Sequence, residues 1–389
     1  MSDDLAIGPV GEEHLDELAD VLTIAFGPVP SGDEPALRAR LIRRLPELVG
    51  RYQGGRLASV AAMRPLRAWI GGVQHPIGGL ASVATFPWAR RRGHVVALLR
   101  HWLERLHEDG VGWCAEHPFD PHFYARYGFQ SLPNGQVVEV PPALFGAGAP
   151  SDAEALAPDR LEALRPIHAA FARRYGLALT REGGSGDAWH NLVRPHWGPP
   201  RHVYLLEDAY LVFRLADDAT STLYAHDYAF ATPAGRQRLW ELLASFRGQT
   251  QRVRIHLPPG DRMLADTQPR HGVRSPLVQL RVVDLAAALA PLRSPRPSRW
   301  TLAVRDEVCR WNDGTFEVAL TPDGCSVTPG SGTPAASLDV QTLAALLGQG
   351  STPEIVLADG RASGDVEALR ALSDLTRGQP TFHTEADDF

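Results

Sequence analysis

Three consecutive arginines precede a glycine where a strand pattern changes to a helix pattern. Arg90, Arg91 and Arg92 stand directly before Gly93 in the segment SVATFPWARRRGHVVALLRHWL. Adjacent guanidinium groups repel one another, and an anionic partner would offset that repulsion. The first turn of a helix exposes unpaired backbone N–H groups, and glycine lets a ligand approach them closely. The pattern fits an anion-binding loop and a solvated basic loop at the start of a core helix equally well.

Histidines and cysteines are the other side chains that could do chemistry. His117 and His122 flank the segment HPFDPH and could be imagined as metal ligands. Loop histidines beside prolines are usually solvated, and Cys114, Cys309 and Cys325 form neither a CxxC nor a Cys/His pattern. We therefore expect no metal.

The elements that must position the arginine loop follow from hydrophobic periodicity. The first part of the chain predicts a helix, two strands, a second helix and a further strand, over 12–26, 57–70, 73–85, 93–110 and 112–117. The arginine loop then joins a strand to an amphipathic helix that stops at Gly110. The segment PHFYARYGF predicts a turn or short helix that leads into another strand.

A similar but less clear order of predicted strands and helices follows a Pro- and Gly-rich segment at 141–158. Strands are predicted over 210–215, 222–231 and 252–259, with a helix over 232–246. The arginine run does not recur, so this part is interpreted as a duplicated domain that has lost its anion loop. After a second loose zone at 290–300, the chain predicts strands within 316–330 and amphipathic helices over 337–350 and 365–375.

Composition limits what the whole chain can bind. Its 389 residues suggest two or three domains, and 44% hydrophobic and 22% charged residues are typical of a soluble globular protein. A net charge of −6 argues against a general nucleic-acid binder. All 39 basic residues are arginine, which removes lysine from any catalytic role. The acidic start, the lack of a membrane-length apolar run and the odd number of cysteines predict a cytoplasmic protein without a membrane partner.

The arginine segment resembles the acetyl-CoA site of GNAT-type N-acetyltransferases. That family has a loop pattern R/Q-x-x-G-x-G/A that binds the pyrophosphate of coenzyme A. Arg90, Gly93 and Val95 occupy its three defining positions, and Val95 departs from the usual Gly or Ala. The segment FYARYGF is similar to the family's later Y-x-x-x-G-F element. Both motifs occur in the family's order and spacing.

The layout of the whole chain is similar to that of the Eis (enhanced intracellular survival) family. The resemblance implies a fold class of α+β and α/β units: two GNAT folds in tandem, then a sterol-carrier-protein-like α+β domain. The corresponding boundaries are 1–145, 146–290 and 291–389. The chain ends in Phe389, as that family ends in an aromatic residue whose main-chain carboxylate reaches the first active site. The family also implies a homo-oligomer, namely a hexamer.

By the same resemblance, three groups of residues would contact acetyl-CoA. The backbone of Val83, Ala84 and Thr85 would pair with the pantetheine arm and stabilise the developing oxyanion. The helix start would hold the pyrophosphate through Arg91, Arg92, Gly93, His94, Val95 and Val96. Phe119 and Asp120 would lie against the cofactor. Without the family, the first two groups are an edge strand and a helix start.

Two residues would carry the proton transfers. Tyr124 would be the general acid for the coenzyme A thiolate, since a Tyr of pKa near ~10 can protonate a positioned thiolate of pKa near ~8.5. The Phe389 carboxylate would be the base, with the neighbouring Asp387 and Asp388 raising its pKa and attracting a cationic amine. Without the family, Tyr124 is a core aromatic and EADDF a solvated acidic tail.

The expected function is acetyl-CoA-dependent transfer of an acetyl group to a primary amine of a small molecule or a lysine side chain. One alternative is a protein that binds lipid or another small ligand in its third domain and keeps the GNAT units as a non-catalytic scaffold; another is a purely structural scaffold. Aminoglycoside acetylation is not expected, because Phe26, Gly27 and Pro28 stand where Eis enzymes of that specificity carry an acidic residue, and Asp33 and Glu34 come later.

Overall fold

Three β-sheets organise the protein. The computed structural model describes residues 5–27, 34–148, 152–182, 188–193, 200–216, 221–267 and 275–387. The strands of the first part are β1 Leu5–Pro9, β2 Leu48–Gln53, β3 Arg56–Ile70, β4 Val73–Thr85, β5 Trp113–Glu116 and β6 Gln130–Leu132. Its helices are α1 Leu15–Phe26, α2 Glu34–Arg44, α3 His94–Glu108 and α4 Pro121–Ala125.

The middle part of the chain forms a second set of elements. Its strands are β7 Gln136–Val140, β8 Glu154–Ala155, β9 His202–Leu205, β10 Ala209–Leu215, β11 Thr222–Phe230, β12 Arg252–Leu257 and β13 Val278–Val282. Its helices are α5 Arg165–Ala172, α6 Ala188–Val193, α7 Pro233–Ser245, α8 Met263–Asp266 and α9 Leu285–Leu289.

The last part builds the third sheet. Its strands are β14 Ser298–Arg305, β15 Gly314–Leu320, β16 Cys325–Pro329, β17 Ala336–Asp339 and β18 Ala362–Gly364. Its helices are α10 Val340–Leu347, α11 Pro353–Ala358 and α12 Val366–Asp374. In the chain as described, no helix is both long and apolar enough to cross a membrane.

The first sheet is built around one long hairpin and one crossover. β3 and β4 are antiparallel, and their turn at Gly71 and Gly72 has positive φ at both residues, the geometry that fits the twist of a two-residue hairpin. β4 and β5 are parallel, and α3 connects them. α3 buries Leu98, Trp102 and Leu106 against the sheet, as its helical spacing predicts.

The first two sheets exchange a strand. The strand order of the first sheet is β1-β2-β3-β4-β5-β13-β6, so β13 from late in the chain lies between β5 and β6. The second sheet, of order β7-β12-β11-β10-β9-β8, takes β7 from the end of the first part. We call the first sheet with α1–α4 the first unit, and the second sheet with α5–α8 the second unit. The boundaries 1–145 and 146–290 stay a prediction, and sheet membership crosses them at these two strands.

Most strongly periodic segments have the predicted structure, and one predicted segment differs. Other elements, among them β1, β2 and α2, were not predicted. The segment 337–350, predicted as one helix, is strand β17 followed by α10. Asp339 causes the change, since β17 pairs in parallel with β14 and the Asp339 side chain then accepts a hydrogen bond from the backbone N–H of Thr342 as a helix cap.

The third sheet packs onto the first rather than standing apart. Trp113 of β5, Leu280 of β13, Leu302 of β14 and Leu343 of α10 belong to one buried cluster. A buried ion pair between Arg281 of β13 and Asp306, with a closest N–O distance of 2.7 Å, joins the same two parts. The last segment of the chain is therefore held close to the first sheet.

Candidate active site

The site begins where two parallel strands part. The ladder between β4 and β5 ends at the pair Leu80–Glu116, while β4 continues to Thr85. A bulge opposite β3 turns β4 at this point, and Ser82 has the left-handed φ of 51°. The backbone of Val83, Ala84 and Thr85 therefore runs beyond its β5 partner, so its groups on that side of β4 are available to an extended ligand.

The start of α3 faces the same opening. Gly93 is the residue before the helix, its φ is 78°, and a Cβ there would meet no atom within 4 Å. No side chain in the described chain caps the first turn. The predicted residues Arg91, Arg92, Gly93, His94, Val95 and Val96 thus form an open helix N-terminus. Its free N–H groups and partial positive charge suit a phosphate.

The side chains around this helix start divide into two groups. Arg90, Arg91 and Arg92 are exposed, and Arg91 has the left-handed φ of 61°. His94 is only 3% exposed, so its ring faces the protein and only its backbone can serve a ligand. Burial, then Arg51 and Arg92, lower the pKa of His94, which keeps the imidazole neutral.

Tyr124 lies in α4, the short helix that follows β5. Asp120 starts α4 by accepting a hydrogen bond from the backbone N–H of His122 at 2.9 Å. Tyr124 is 3% exposed, and burial, then Glu116 and Cys114, raise its pKa well above the ordinary value. The phenol is therefore protonated at neutral pH and can act as an acid.

Aromatic rings surround Tyr124. The ring centroids of Phe119, Phe123 and Phe129 lie 5.5, 5.0 and 5.9 Å from that of Tyr124. Phe119 is 72% exposed, which leaves an apolar surface free at the mouth of the opening. The structure thus brings Phe119 close to Tyr124, whereas the carboxylate of Asp120 is already used as a helix cap.

Glu116 is a site residue that the sequence analysis missed. It is the last residue of β5, it is 1% exposed, and its Oε1 has no hydrogen-bond partner among the residues the structure describes. Burial raises the pKa of Glu116 to about 9. The available signal was an ionisable residue at the carboxyl end of an otherwise apolar strand, the usual place for functional side chains in parallel pairs.

The C-terminal segment reaches this site. His383 lies against His117, which directly follows Glu116, with 4.8 Å between ring centroids. The ring nitrogens of His383 lie 3.0 Å from the Leu177 carbonyl oxygen and 3.1 Å from the Asp387 carbonyl oxygen. Asp388 and the predicted base Phe389 lie outside the described residues.

No metal centre accompanies these groups in the part of the chain that the structure describes. No three or more His, Cys, Asp or Glu side chains lie close enough there to hold an ion. What the arrangement can do is hold an anionic, extended ligand along β4 and α3, with a protonated phenol at its end.

Comparison with protein families gives three matches. Models of the acetyltransferase (GNAT) domain match residues 6–132 and 181–282, and a model of the sterol carrier protein domain matches residues 271–383. An uncharacterised N-acetyltransferase of Streptomyces coelicolor is 24% identical, covering 92% of each chain. One from Streptomyces avermitilis is 23% identical, covering 79% of this chain and 80% of the relative.

Solved structures share the fold over the full length. A GCN5-related N-acetyltransferase from Kribbella flavida has a TM-score of 0.84 at 20% identity, covering 100% of this chain and 99% of that one. Eis1 from Mycobacterium abscessus has a TM-score of 0.78 at 20% identity, covering 99% of this chain and 100% of that one.

The class of the protein follows from these matches together with the parted strands beside α3: it is an acetyltransferase of the GNAT type. The predicted tandem of two GNAT folds before a sterol-carrier-protein-like domain is confirmed. More particularly, the chain carries two GNAT acetyltransferase domains and a C-terminal sterol carrier protein domain, the arrangement for which its sequence resembles the Eis family.

Proposed function

We propose that the first unit transfers the acetyl group of acetyl-CoA to a primary amine. The observation that carries this proposal is the open N-terminus of α3 beside the parted strands, with Tyr124 near Glu116 at the end of β5. In the described part of the second unit, the Thr232 side chain instead caps the start of α7. The acetyl-CoA site is therefore assigned to the first unit alone.

The binding step uses backbone groups. N–H groups from Arg91 to Val96 would hold the pyrophosphate, with the exposed arginines adding positive charge. The backbone of Val83, Ala84 and Thr85 would pair with the pantetheine arm as a short strand would. An N–H group there would also stabilise the oxyanion that forms on the thioester carbonyl. Phe119 would lie against the cofactor at the mouth of the site.

The chemical step moves two protons. The neutral amine nitrogen attacks the thioester carbonyl carbon, and the carbon–sulfur bond breaks as the amide forms. The Tyr124 phenol would give its proton to the leaving thiolate. Burial raises the pKa of the Tyr124 phenol, so the proton would move only as negative charge develops on sulfur. The proton lost by the amine would pass to a base, and solvent exchange would return Tyr124 to its phenol form.

The Phe389 carboxylate is the proposed base. Asp387, two residues earlier in the sequence, is buried beside His383, whose ring lies on His117 at the end of β5. Two residues of extended chain span about 7 Å. The position of Asp387 therefore supports a terminal carboxylate within reach of the first unit's opening. A homohexamer and a cytoplasmic location remain predictions.

Acetyl-CoA binding tests the proposal first. Acetyl-CoA is expected to raise the melting temperature of the wild-type protein, and the rise should shrink in Arg91→Ala. Arg100→Ala is the matched control, because Arg100 is exposed on α3 away from the helix start. No shift in the wild-type protein would instead favour the ligand-binding alternative.

Turnover then tests the acid and the base. Thiol release is measured with acetyl-CoA and benzylamine, tryptamine, spermidine, an Nα-acetylated lysine and kanamycin. Tyr124→Phe is expected to lower kcat about 100-fold with acetyl-CoA binding retained. Deleting Phe389, or adding two alanines after it so that its carboxylate becomes an amide, should abolish turnover. Unchanged turnover in both C-terminal variants would remove the carboxylate from the mechanism.

A further inference from the structure

We propose that Arg181 of the second unit is a positioning residue that holds the end of the chain, through Asp387, at the active site of the first unit. This inference rests on the proposed role of the Phe389 carboxylate as base. It gives the second unit, which has no open anion loop, a part in the reaction.

The contact is buried and places one guanidinium between two carboxylates. We call Arg181, Asp227 and Asp387 the clamp. Arg181 Nε donates to Asp387 Oδ1 at 2.6 Å, and Arg181 Nη1 and Nη2 donate to the two oxygens of Asp227 at 2.7 and 3.0 Å. The Tyr210 hydroxyl donates to Asp227 at 2.7 Å. The side chains of Arg181, Asp227 and Asp387 are 2%, 1% and 5% exposed. Only the planar fork of arginine can reach two carboxylates in this way.

The charges of the clamp indicate that it positions the end of the chain rather than stabilises the fold. One guanidinium faces two carboxylates, so the buried group carries an excess negative charge. Buried ion networks are often less stabilising than apolar residues of the same volume, and the excess charge adds to the cost. Desolvation acts to raise the pKa of Asp387, but Arg181, His168 and His383 together lower it below its ordinary value. The Asp387 carboxylate thus stays charged and held.

The backbone of the clamp is fixed to the first unit. The segment before Arg181 pairs with β3: the Thr180 N–H donates to the Arg67 carbonyl at 2.9 Å, and the Trp69 N–H donates to the Ala178 carbonyl at 3.0 Å. Arg181 itself has a left-handed φ of 55°, which is costly for a residue with a side chain. A strained residue whose neighbours hydrogen-bond to the catalytic sheet can hold a group at a defined place relative to that sheet.

The tail has separate anchors upstream of the clamp. The Phe382 N–H donates to the Gly176 carbonyl at 2.9 Å, and Phe382 is 1% exposed. The Asn134 side chain pairs with the backbone of His383, accepting from its N–H at 2.6 Å and donating to its carbonyl at 2.8 Å. Loss of the Asp387 contact should therefore free the last few residues while the segment up to His383 stays bound.

The test replaces Asp387 and follows three readouts: kcat, the KM for acetyl-CoA and the release of Phe389 by a carboxypeptidase. Asp387→Ala is expected to lower kcat at least about 10-fold and to leave the KM for acetyl-CoA within about 2-fold, since a base displaced by an ångström or more loses rate rather than binding. Carboxypeptidase Y should release Phe389 from folded Asp387→Ala about 10-fold faster than from wild type, as expected of a tail that opens locally.

Two further variants complete this test, one as a control and one in case Asp387→Ala does not fold. Asp261→Ala removes another carboxylate of a second-unit ion pair, with Arg236 at 2.9 Å, and should leave all three readouts unchanged. If Asp387→Ala does not fold, Asp387→Asn keeps the volume and the Arg181–Asp227 pair and should give a smaller loss of the same kind.

The outcomes separate this inference from the function on which it rests. Wild-type kcat in Asp387→Ala, with turnover lost in the extended protein, would overturn the clamp and leave the base in place. A lower kcat in Asp387→Ala with unchanged release of Phe389 by carboxypeptidase Y would show that Asp387 acts structurally and would also overturn it. Unchanged turnover in the extended protein would refute the base and the clamp together.

Discussion

In the first unit, α3 begins at Gly93 with open space above the glycine and no side-chain cap, and exposed arginines stand beside it. In the second unit, α7 also joins two parallel strands, β11 and β12, but its start is closed. Thr232 accepts a hydrogen bond from the Gly235 N–H at 3.0 Å, and the Asp208 carboxylate bonds to Thr232 and Arg238.

The starts of α3 and α7 differ in the source of the negative charge that each can attract. A helix start with free N–H groups attracts an anion in either unit. The second unit places its own Asp208 there. Although desolvation acts to raise it, hydrogen bonds from Thr232 and Arg238 hold the pKa of Asp208 below its ordinary value. The first unit leaves this place open, so the same supersecondary unit has an open helix start in one unit and a closed one in the other.

The largest expected effect is on folding stability and concerns Glu116, which lies where β4 and β5 separate. Glu116 is the last β5 residue paired with β4, and the corresponding position of β12 holds Ile255. Because burial raises the pKa of Glu116 from 4.5 to about 9, the folded protein keeps a proton that the unfolded chain releases between these values. Folding stability should therefore fall as pH rises through this window, by up to about 1.4 kcal/mol per pH unit.

Removing the carboxyl should remove that slope. Glu116→Gln is expected to be more stable than wild type at pH 8, by on the order of 3 kcal/mol, and equal to it near pH 5. Urea unfolding at pH 5, 6, 7 and 8 measures the difference, with Glu104→Gln on the exposed face of α3 as control. Parallel stability curves for Glu116→Gln and wild type would show that Glu116 is ionised in the folded protein.

The next effect separates the two helix starts. Gly93→Val puts a branched side chain at a φ of 78° and over the free N–H groups, and should weaken acetyl-CoA binding about 100-fold by calorimetry. At Gly235 a Cβ would lie 2.6 Å from Asp208 Oδ1, so Gly235→Ala should lower the melting temperature and leave acetyl-CoA affinity unchanged. Equal affinities of Gly93→Val and wild type would place the pyrophosphate elsewhere.

The smallest expected effect concerns Asp208, whose carboxylate lies at the start of α7. Asp208→Ala should cost about 1 kcal/mol of folding stability, the usual size for loss of a group that satisfies a helix start. It also leaves the beginning of α7 without its carboxylate. Inorganic phosphate should then raise the melting temperature of Asp208→Ala more than that of wild type. An equal effect of phosphate on both proteins would contradict the proposed equivalence of Asp208 and a bound anion.

Local patterns predicted much of the fold and part of the site. The arginine loop and α3 follow from adjacent residues whose spacing and turn chemistry are short-range. Tyr124 was predicted for the same reason, because its element is a local motif; its role as the acid stays a prediction. The prediction of one helix over 337–350 was wrong at its start. There β17 pairs with β14, and this non-local contact overrides the helical spacing.

The missed residues depend on contacts between distant parts of the chain. Glu116 is buried by β13, which pairs with it through Gln279. The Asp387 side chain meets Arg181 and, through it, Asp227, and none of these three stands in a recognisable motif. Composition alone assigns such residues to the surface, since charged side chains are rarely buried without a partner. Only the tertiary structure provides the partner.

The position of β13 has a consequence for synthesis of the chain on the ribosome. β5 and β6 are complete by residue 132, but the strand that joins them is Val278–Val282. At translation rates of 5–20 residues per second, the gap between β5 and β6 stays unfilled for roughly 7–30 s. Nascent chains during that interval expose two strand edges, so they are expected to need protection by a chaperone, and neither GNAT domain is expected to fold when expressed by itself.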